Sequence, residues 1–393
     1  MVKVKNTTSL CPTCLRKLEA EVYEEDGAIY LDRTCPEHGN FYTMVERDPN
    51  FYKLAMCRGR DCKISWVVIP ITSNCNIKCK YCFYPDSLEK KLSVDDIIEI
   101  SKNAPRCFII SGGEPTTHPN LDKIIAKLKE NKTHCTLLTN GIKLADPRYL
   151  DSLCNAGLCD ILLSLNSTDK NTLIEFEGVD TLKKKLTAID NITDRNIRFS
   201  ISFSVLKGFN EDEFKKVLFF ALRKGAAGLR VRSFSHYGRY DEVKDVLFMS
   251  DLIKLLADAL GYEKEFFYDN LDMITNSGTA QYVTHLLFLK KNNNFEFIVP
   301  LSEIDLDQIP ECIKRKRGQK FLDDFAVRRT YGKLIFIDIT MFAWPDRSNV
   351  DLEEICSHGG GHLTLNNEVE HFWPSLIGIN DTIMKSACKN EKR

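Results

Sequence analysis

The 393-residue chain contains no apolar run approaching the roughly 18 residues that a membrane-spanning helix needs. Its first residues, MVKVKNTTSLCPTC, lack the apolar segment of a secretory signal, so a cytoplasmic location is expected. An excess of one charge sign is missing too. Lys and Arg number 54 against 55 Asp and Glu, a net charge of −1, which argues against a non-specific polyanion grip. No nucleic-acid partner is expected, since no RNA-binding module is recognisable either. No GxSxG, P-loop or HExxH occurs, so hydrolase and nucleotide-kinase chemistry lack support. Internal repeats and low-complexity segments are absent. With 43% hydrophobic and 28% charged residues, the chain is neither disordered nor fibrous.

Cysteine is abundant instead. There are 15, and Cys11, Cys14, Cys35, Cys57, Cys62, Cys75, Cys79 and Cys82 fall in the first 82 residues. In a reducing compartment an odd, clustered set points to metal or redox chemistry rather than disulfides.

Three regions are expected. Residues 1–64 read as a small metal-stapled module, with short β-like runs at Glu19–Tyr23 and Ala28–Leu31 around an Asp26–Gly27 turn. Residues 65–235 alternate strands with helices. The strands are Trp66–Ile71, Cys107–Ile110, Thr136–Thr139, Ile161–Leu165, Phe199–Leu206 and Leu229–Phe234. Helix starts are read at Ser93 with Asp96, at Asn120, at Asp146–Pro147, near Thr181 and at Asn210 with Glu213. Six βα units imply a parallel sheet, either a partial (βα)6 barrel or a doubly wound sheet. Residues 236–393 read as a smaller α+β region covering the substrate. It has a helix from Ser250 to Gly261, a hairpin over Leu286–Leu289 and Phe295–Val299, and a strand at Leu334–Phe342.

Cys75-Asn-Ile-Lys-Cys79-Lys-Tyr-Cys82 directly follows the first strand of the repeat. Three thiolates at x3 and x2 spacing can ligate three irons of a [4Fe–4S] cubane and leave the fourth iron open. Ser111-Gly-Gly-Glu-Pro-Thr116 follows the second strand, and its glycines permit close backbone approach to a ligand. The triplet, with Tyr81 before its third cysteine, and the GGEPT segment together resemble the radical S-adenosylmethionine (SAM) superfamily. That resemblance implies that Cys75, Cys79 and Cys82 bind the cluster, that Tyr81 lies by the adenine, and that Gly112, Gly113 and Glu114 receive the methionyl end of SAM. It also implies an electron donor such as flavodoxin or ferredoxin.

Strand alternation gives an independent expectation. Ser164 with Asn166, Ser200 with Ser202 and Ser204, and Arg230 with Arg232 share faces opposite their apolar neighbours. Those polar faces should line a lumen holding SAM and substrate. Arginine there suits a carboxylate or phosphate, with Ser164 and Asn166 toward the ribose and Arg232 toward SAM or an anionic substrate. His236, just after the sixth strand, is a candidate for contact with substrate.

Cys11-Pro-Thr-Cys14 and Cys35-Pro-Glu-His38 form two knuckles fit for one tetrahedral zinc or mononuclear iron. Cys57 and Cys62 are candidates for completing that site or for part of a second iron–sulfur cluster. Knuckles of this kind ahead of a radical SAM core resemble the tetraether lipid synthase and pterin dimethyltransferase group. The resemblance implies carbon–carbon bond formation or methylation on a small-molecule or lipid substrate. Three alternatives stay open: an epimerase of a sugar or peptide using a thiol such as Cys356 as hydrogen donor, a dehydrogenase or peptide maturase, and a non-enzymatic iron–sulfur electron carrier. Cys107, Cys135, Cys154 and Cys159 read as core residues.

Overall fold

The computed structural model describes residues 1–56, 66–82, 92–103, 107–235, 245–269, 281–291, 294–298, 333–355, 360–363 and 369–371. Cys57, Cys62, His236 and Cys356, four sequence-derived candidates, lie outside these residues.

The N-terminal module is a four-stranded antiparallel meander of β1 (Val2–Leu10), β2 (Lys17–Glu25), β3 (Ala28–Cys35) and β4 (Gly39–Glu46). Asp26 and Gly27 turn the central hairpin with φ of 48° and 76°. Its small core of Ala20, Val22, Ile29 and Leu31 is closed by Tyr52 of helix α1 (Pro49–Met56).

The six expected βα strands are all present: β5 (Trp66–Pro70), β6 (Cys107–Ser111), β7 (His134–Thr139), β8 (Asp160–Ser164), β9 (Arg198–Val205) and β10 (Gly228–Ser233). They pair in parallel and in sequence order. The sheet curls into a partial barrel. Helices α2 (Val94–Asn103), α3 (Leu121–Glu130), α4 (Pro147–Ala156), α5 (Lys170–Glu177), α6 (Leu182–Asp194) and α7 (Glu213–Lys224) connect these strands. The apolar faces Ile161/Leu163/Leu165, Phe199/Ile201/Phe203/Val205 and Leu229/Val231 are at most 3% exposed and belong to one continuous core.

The remaining segments continue this sheet. After α8 (Met249–Leu260) and α9 (Lys264–Asp269), β11 (Gln281–Lys291) and β12 (Asn294–Ile298) form the expected hairpin. β13 (Lys333–Phe342) then adds a seventh parallel strand beside β10. β14 (Gly360–Leu363) pairs in parallel with β5 at the opposite edge, and β15 (Val369–His371) pairs with β14.

Some helix starts differ from expectation. Ser93 and Asp96 do form a reciprocal capping box, and Asp146 caps α4. Asn120 occupies its N-cap position without a side-chain bond. Asn210 lies before α7 and instead accepts from Leu206 N and donates to the carbonyls of Asn166 and Ser204. The cap of α8 is Phe248, whose amide donates to Asp251, while Ser250 sits inside the helix. Cys135 is buried, Cys107 and Cys154 are partly buried, and Cys159 is exposed beyond the end of α4, so it is not a core residue.

Candidate active site and N-terminal metal centre

The cysteine loop leaves the C-terminal end of β5 and is held from three sides. Gly113 N donates to Thr72 O and Glu114 N to Asn74 O, both at 2.8 Å. Asn140 Nδ2, after β7, donates to Asn76 Oδ1 at 2.7 Å. Lys80 N donates to Phe176 O, in the last turn of α5, at 3.1 Å. The glycines of the GGEPT segment are required by this packing. A Cβ on Gly112, whose φ is +136°, would lie 2.2 Å from Thr72 O, and one on Gly113 would lie 2.4 Å from Ser73 O. The close backbone approach read from the sequence is therefore made to the cysteine loop itself.

Glu114 is buried, and its carboxylate is engaged by the protein. Oε1 accepts from Thr116 N, Thr116 Oγ1 and Thr139 Oγ1, and Oε2 accepts from Asn140 N. It joins β6 to the end of β7. Thr116 of the same segment is spent on Glu114.

Tyr81 is 6% exposed and sits in an aromatic nest with Phe176, Phe209 and Phe234, at ring-centroid distances of 5.1 to 5.8 Å. Beneath the loop is an ion pair that sequence reasoning missed. Lys185 and Glu177 are at most 1% exposed and 2.9 Å apart. Lys185 Nζ also donates to Ser164 O at 2.7 Å, and Glu177 accepts from Thr181 Oγ1. A Glu ending one helix and a Lys in the next carry no local sequence signal of pairing.

These elements surround one cleft that is partly open to solvent. Cys75, Cys79, Cys82, Tyr81, Gly112, Gly113, Glu114, Ser164, Asn166, Ser202, Arg230 and Arg232 all line it. Ser204 lines it as well, whereas Ser200, expected on the same face of β9, is not among the lining residues. Arg230 Nη2 donates to Ser202 Oγ at 3.2 Å, and Arg232 Nη2 to Ser204 Oγ at 2.8 Å. Arg232 also stacks on Trp344 and Phe234, 5.0 and 5.7 Å from their centroids. Burial, then the neighbouring Arg232, pushes the Arg230 guanidinium down to about 9. Burial pushes the Cys79 thiol up to about 12, with Glu177 and Cys82 adding to it, and burial likewise raises Cys75.

In the N-terminal module Cys11 and Cys14 occupy the β1–β2 turn, and Cys35 and His38 the β3–β4 turn. Their ligand atoms lie within 4.8 Å of one another. Cys11 Sγ and Cys35 Sγ are 3.6 and 3.5 Å from His38 Nδ1, and Cys14 Sγ is 3.9 Å from Cys35 Sγ. Tetrahedral coordination with metal–sulfur bonds of about 2.3 Å has edges of roughly 3.5–3.8 Å, so the four residues fit a single ion. Backbone donors oppose burial here, and the Cys11 and Cys35 thiols fall below the ordinary value.

Comparison with known proteins agrees with both halves. Residues 69–221 match the radical SAM superfamily, and residues 3–47 match the HMPTM N-terminal zinc ribbon domain. A 7,8-dihydro-6-hydroxymethylpterin dimethyltransferase from Methanocaldococcus jannaschii is 27% identical over 309 residues, 67% of this chain and 61% of that protein. A GTP 3',8-cyclase from Helicobacter pylori is 30% identical over 169 residues, covering 40% of this chain and 52% of the relative. The matched regions thus span between about half and six tenths of these relatives. Among solved structures, Streptococcus suis SuiB bound to S-adenosylmethionine aligns with a TM-score of 0.45 and 20% identity over 54% of this chain and 48% of that one.

Proposed function

Because the chain belongs to the radical SAM superfamily through residues 69–221 and carries a zinc ribbon at residues 3–47, we propose that it reductively cleaves SAM and abstracts hydrogen from an sp3 carbon of a small-molecule or lipid substrate. Carbon–carbon bond formation or methylation is the favoured outcome, in keeping with the similarity to the pterin dimethyltransferase.

In this reading Cys75, Cys79 and Cys82 would hold a [4Fe–4S] cluster, and Cys11, Cys14, Cys35 and His38 a structural zinc or iron ion. Bound there, the cluster and SAM would supply one-electron radical chemistry, with an electron donor such as flavodoxin or ferredoxin as partner. The chain's own part is to bind, orient and exclude water. The three-sided support of residues 72–80 fixes the thiols. The aromatic nest around Tyr81 offers an apolar wall. The hydroxyls of Ser164 and Ser202 and the amide of Asn166 offer polar contacts in the same cleft. Residues 1–64 act as the metal module and 65–235 as the catalytic core, whose sheet the described segments of 236–393 extend at both edges. Among the described residues no helix is long and apolar enough to cross a membrane, and we assign the chain to the cytoplasm.

One observation carries this reading: the cysteine triplet, the GGEPT segment and the polar faces of β8, β9 and β10 line a single cleft. Anaerobic reconstitution with iron and sulfide, followed by SAM and a strong reductant, should yield 5′-deoxyadenosine and methionine. Protein carrying four irons at the triplet yet forming neither product would overturn it.

A further inference from the structure

Arg33 stands between the N-terminal metal ligands and the segment that follows β13. Its side chain is 2% exposed and leaves β3 two residues before Cys35. Nε donates to the carbonyl of Leu10, the residue before Cys11, at 2.9 Å, and Nη2 donates to Ser348 O. The guanidinium also lies 5.7 Å from the ring centroid of Phe41, which packs on Cys11 and Cys35. A buried guanidinium needs acceptors for its donors. Its rigid fork can also hold two chain segments at a fixed separation, which a flexible ammonium cannot do.

The segment that Arg33 grips reaches the cleft wall. Asp346 closes a turn in it, accepting from Ser348 N at 2.7 Å and from Ser348 Oγ, while Asp346 N donates to Asn349 Oδ1 at 2.7 Å. Ser348 is thereby tied to the stretch that begins at Trp344, just past the end of β13. Trp344 is 7% exposed, and its carbonyl accepts from Ser235 Oγ, two residues beyond β10. The Arg232 guanidinium lies 5.0 Å from the Trp344 ring, and Arg232 lines the cleft. Contacts therefore run without a break from Cys11 and Cys35 through Arg33, Ser348 and Trp344 to Arg232. Other bonds from β1, such as Ser9 Oγ to Val350 O at 2.6 Å, reach the segment further along.

We propose that Arg33 is a positioning residue for the cleft, coupling the metal-ligand turns to Trp344 so that the state of the N-terminal centre sets how Trp344 holds Arg232. A bound ion fixes the β1–β2 and β3–β4 turns against each other, and with them the Leu10 carbonyl and the backbone of Arg33. Without the ion that restraint is lost, and the guanidinium no longer holds Ser348 at a set distance from Leu10. This rests on the reading of Cys11, Cys14, Cys35 and His38 as a metal centre only for what loads the turns.

The test uses full-length protein with Trp344 as its sole tryptophan, through Trp66→Phe and Trp373→Phe. Zinc-loaded and chelated protein are compared, and Arg33→Met and Arg33→Lys are each added to the zinc-loaded form, all below the melting temperature. Two signals are read: Trp344 emission, and phenylglyoxal labelling of Arg232 relative to Arg230, counted by peptide mass spectrometry. Arg230 is the reference because it lines the same cleft and is held by Ser202 Oγ. Chelation should move the emission to longer wavelength and raise labelling of Arg232 over that of Arg230. Arg33→Met should do the same with its zinc content unchanged. Arg33→Lys keeps the charge but cannot bridge both carbonyls, so it should resemble Arg33→Met. Unchanged signals after chelation, unchanged signals in Arg33→Met, or an equal rise at both arginines would each overturn the proposal, as would an Arg33→Lys protein indistinguishable from wild type. Should Arg33→Met fail to fold, the chelation and Arg33→Lys arms decide alone. Protein that takes up no zinc, yet shows a displaced Trp344 in Arg33→Met, would instead sink the metal reading and leave Arg33 as the positioning residue.

Discussion

Glu114 gathers four donors on one buried carboxylate, and this is an expensive arrangement to disturb. Glu114→Ala would leave Thr139 Oγ1 and the Asn140 amide without their acceptor. Each stranded donor costs about 1–3 kcal/mol, so denaturant unfolding should show a loss of roughly 3–5 kcal/mol. A loss below 1 kcal/mol would mean water replaces the carboxylate, against its 1% exposure. The cysteines of the triplet should behave in the opposite way. Cys75→Ala, Cys79→Ala and Cys82→Ala each remove one of the three proposed cluster ligands while touching little of the core. Circular dichroism should stay native while 5′-deoxyadenosine formation disappears. Retained product in any single variant would contradict the assignment of the cluster to this triplet.

At the scale of elements, the cysteine loop is positioned by its neighbours β6, β7 and α5. Gly113→Ala would drive a Cβ to 2.4 and 2.5 Å from the carbonyls of Ser73 and Asn74, so the loop must move. Iron retained after reconstitution should fall well below that of wild type, although the sheet still forms. Lys185→Met would strand Glu177 inside the protein, at a cost of about 3–5 kcal/mol, and the added change Glu177→Leu should recover much of it. Thermal melts of the single and double variants decide this, and a double variant less stable than the single one would refute it. What the sequence made legible follows the same division. Period-2 alternation gave the faces of β8, β9 and β10 because each strand is buried on one side and polar on the other. The cysteine spacings marked both cysteine groups that the fold brings together. β1 was not read, because Val2–Leu10 is largely polar outside its last residues. Asn120 does sit at the N-cap of α3, without a side-chain bond, whereas Asn210 ties two loops together and Ser250 lies inside α8. The pairing of β13 with β10 depends on contacts more than 100 residues apart, which no local pattern carries.

The whole molecule is joined through its N-terminal module. Arg33 donates to Leu10 O and to Ser348 O, Thr7 Oγ1 donates to Asp351, and Lys5 pairs with Asp351 and Glu354. Glu46 accepts from the hydroxyl and amide of Ser250 at the start of α8. Chelation of the N-terminal metal should therefore lower the melting temperature of the entire protein in one transition, and a separate early transition would show the module to be independent. Burial pushes the Glu46 carboxyl up from 4.5 to about 7, against the donors from Ser250, Asp48 and Arg47. A raised carboxyl binds its proton more tightly when folded. Its contribution is complete below pH 4.5, declines as pH rises and is gone above about 7, an order-of-magnitude effect of about 3 kcal/mol. Glu46→Gln should flatten that part of the stability profile, and an unchanged slope would assign it to other groups. The two edges of the six-stranded βα sheet have a further consequence, for biosynthesis. β10 and β5 receive their outer partners β13 and β14 only from residues 333–363. During translation the ribosome exposes both bare edges for as long as it takes to make about 100 residues beyond β10, some 5–20 s at ordinary elongation rates. In that interval the nascent sheet is open to pairing with other chains, so yield in a heterologous host should respond to chaperone supply and growth temperature more than the stability of the finished protein would suggest.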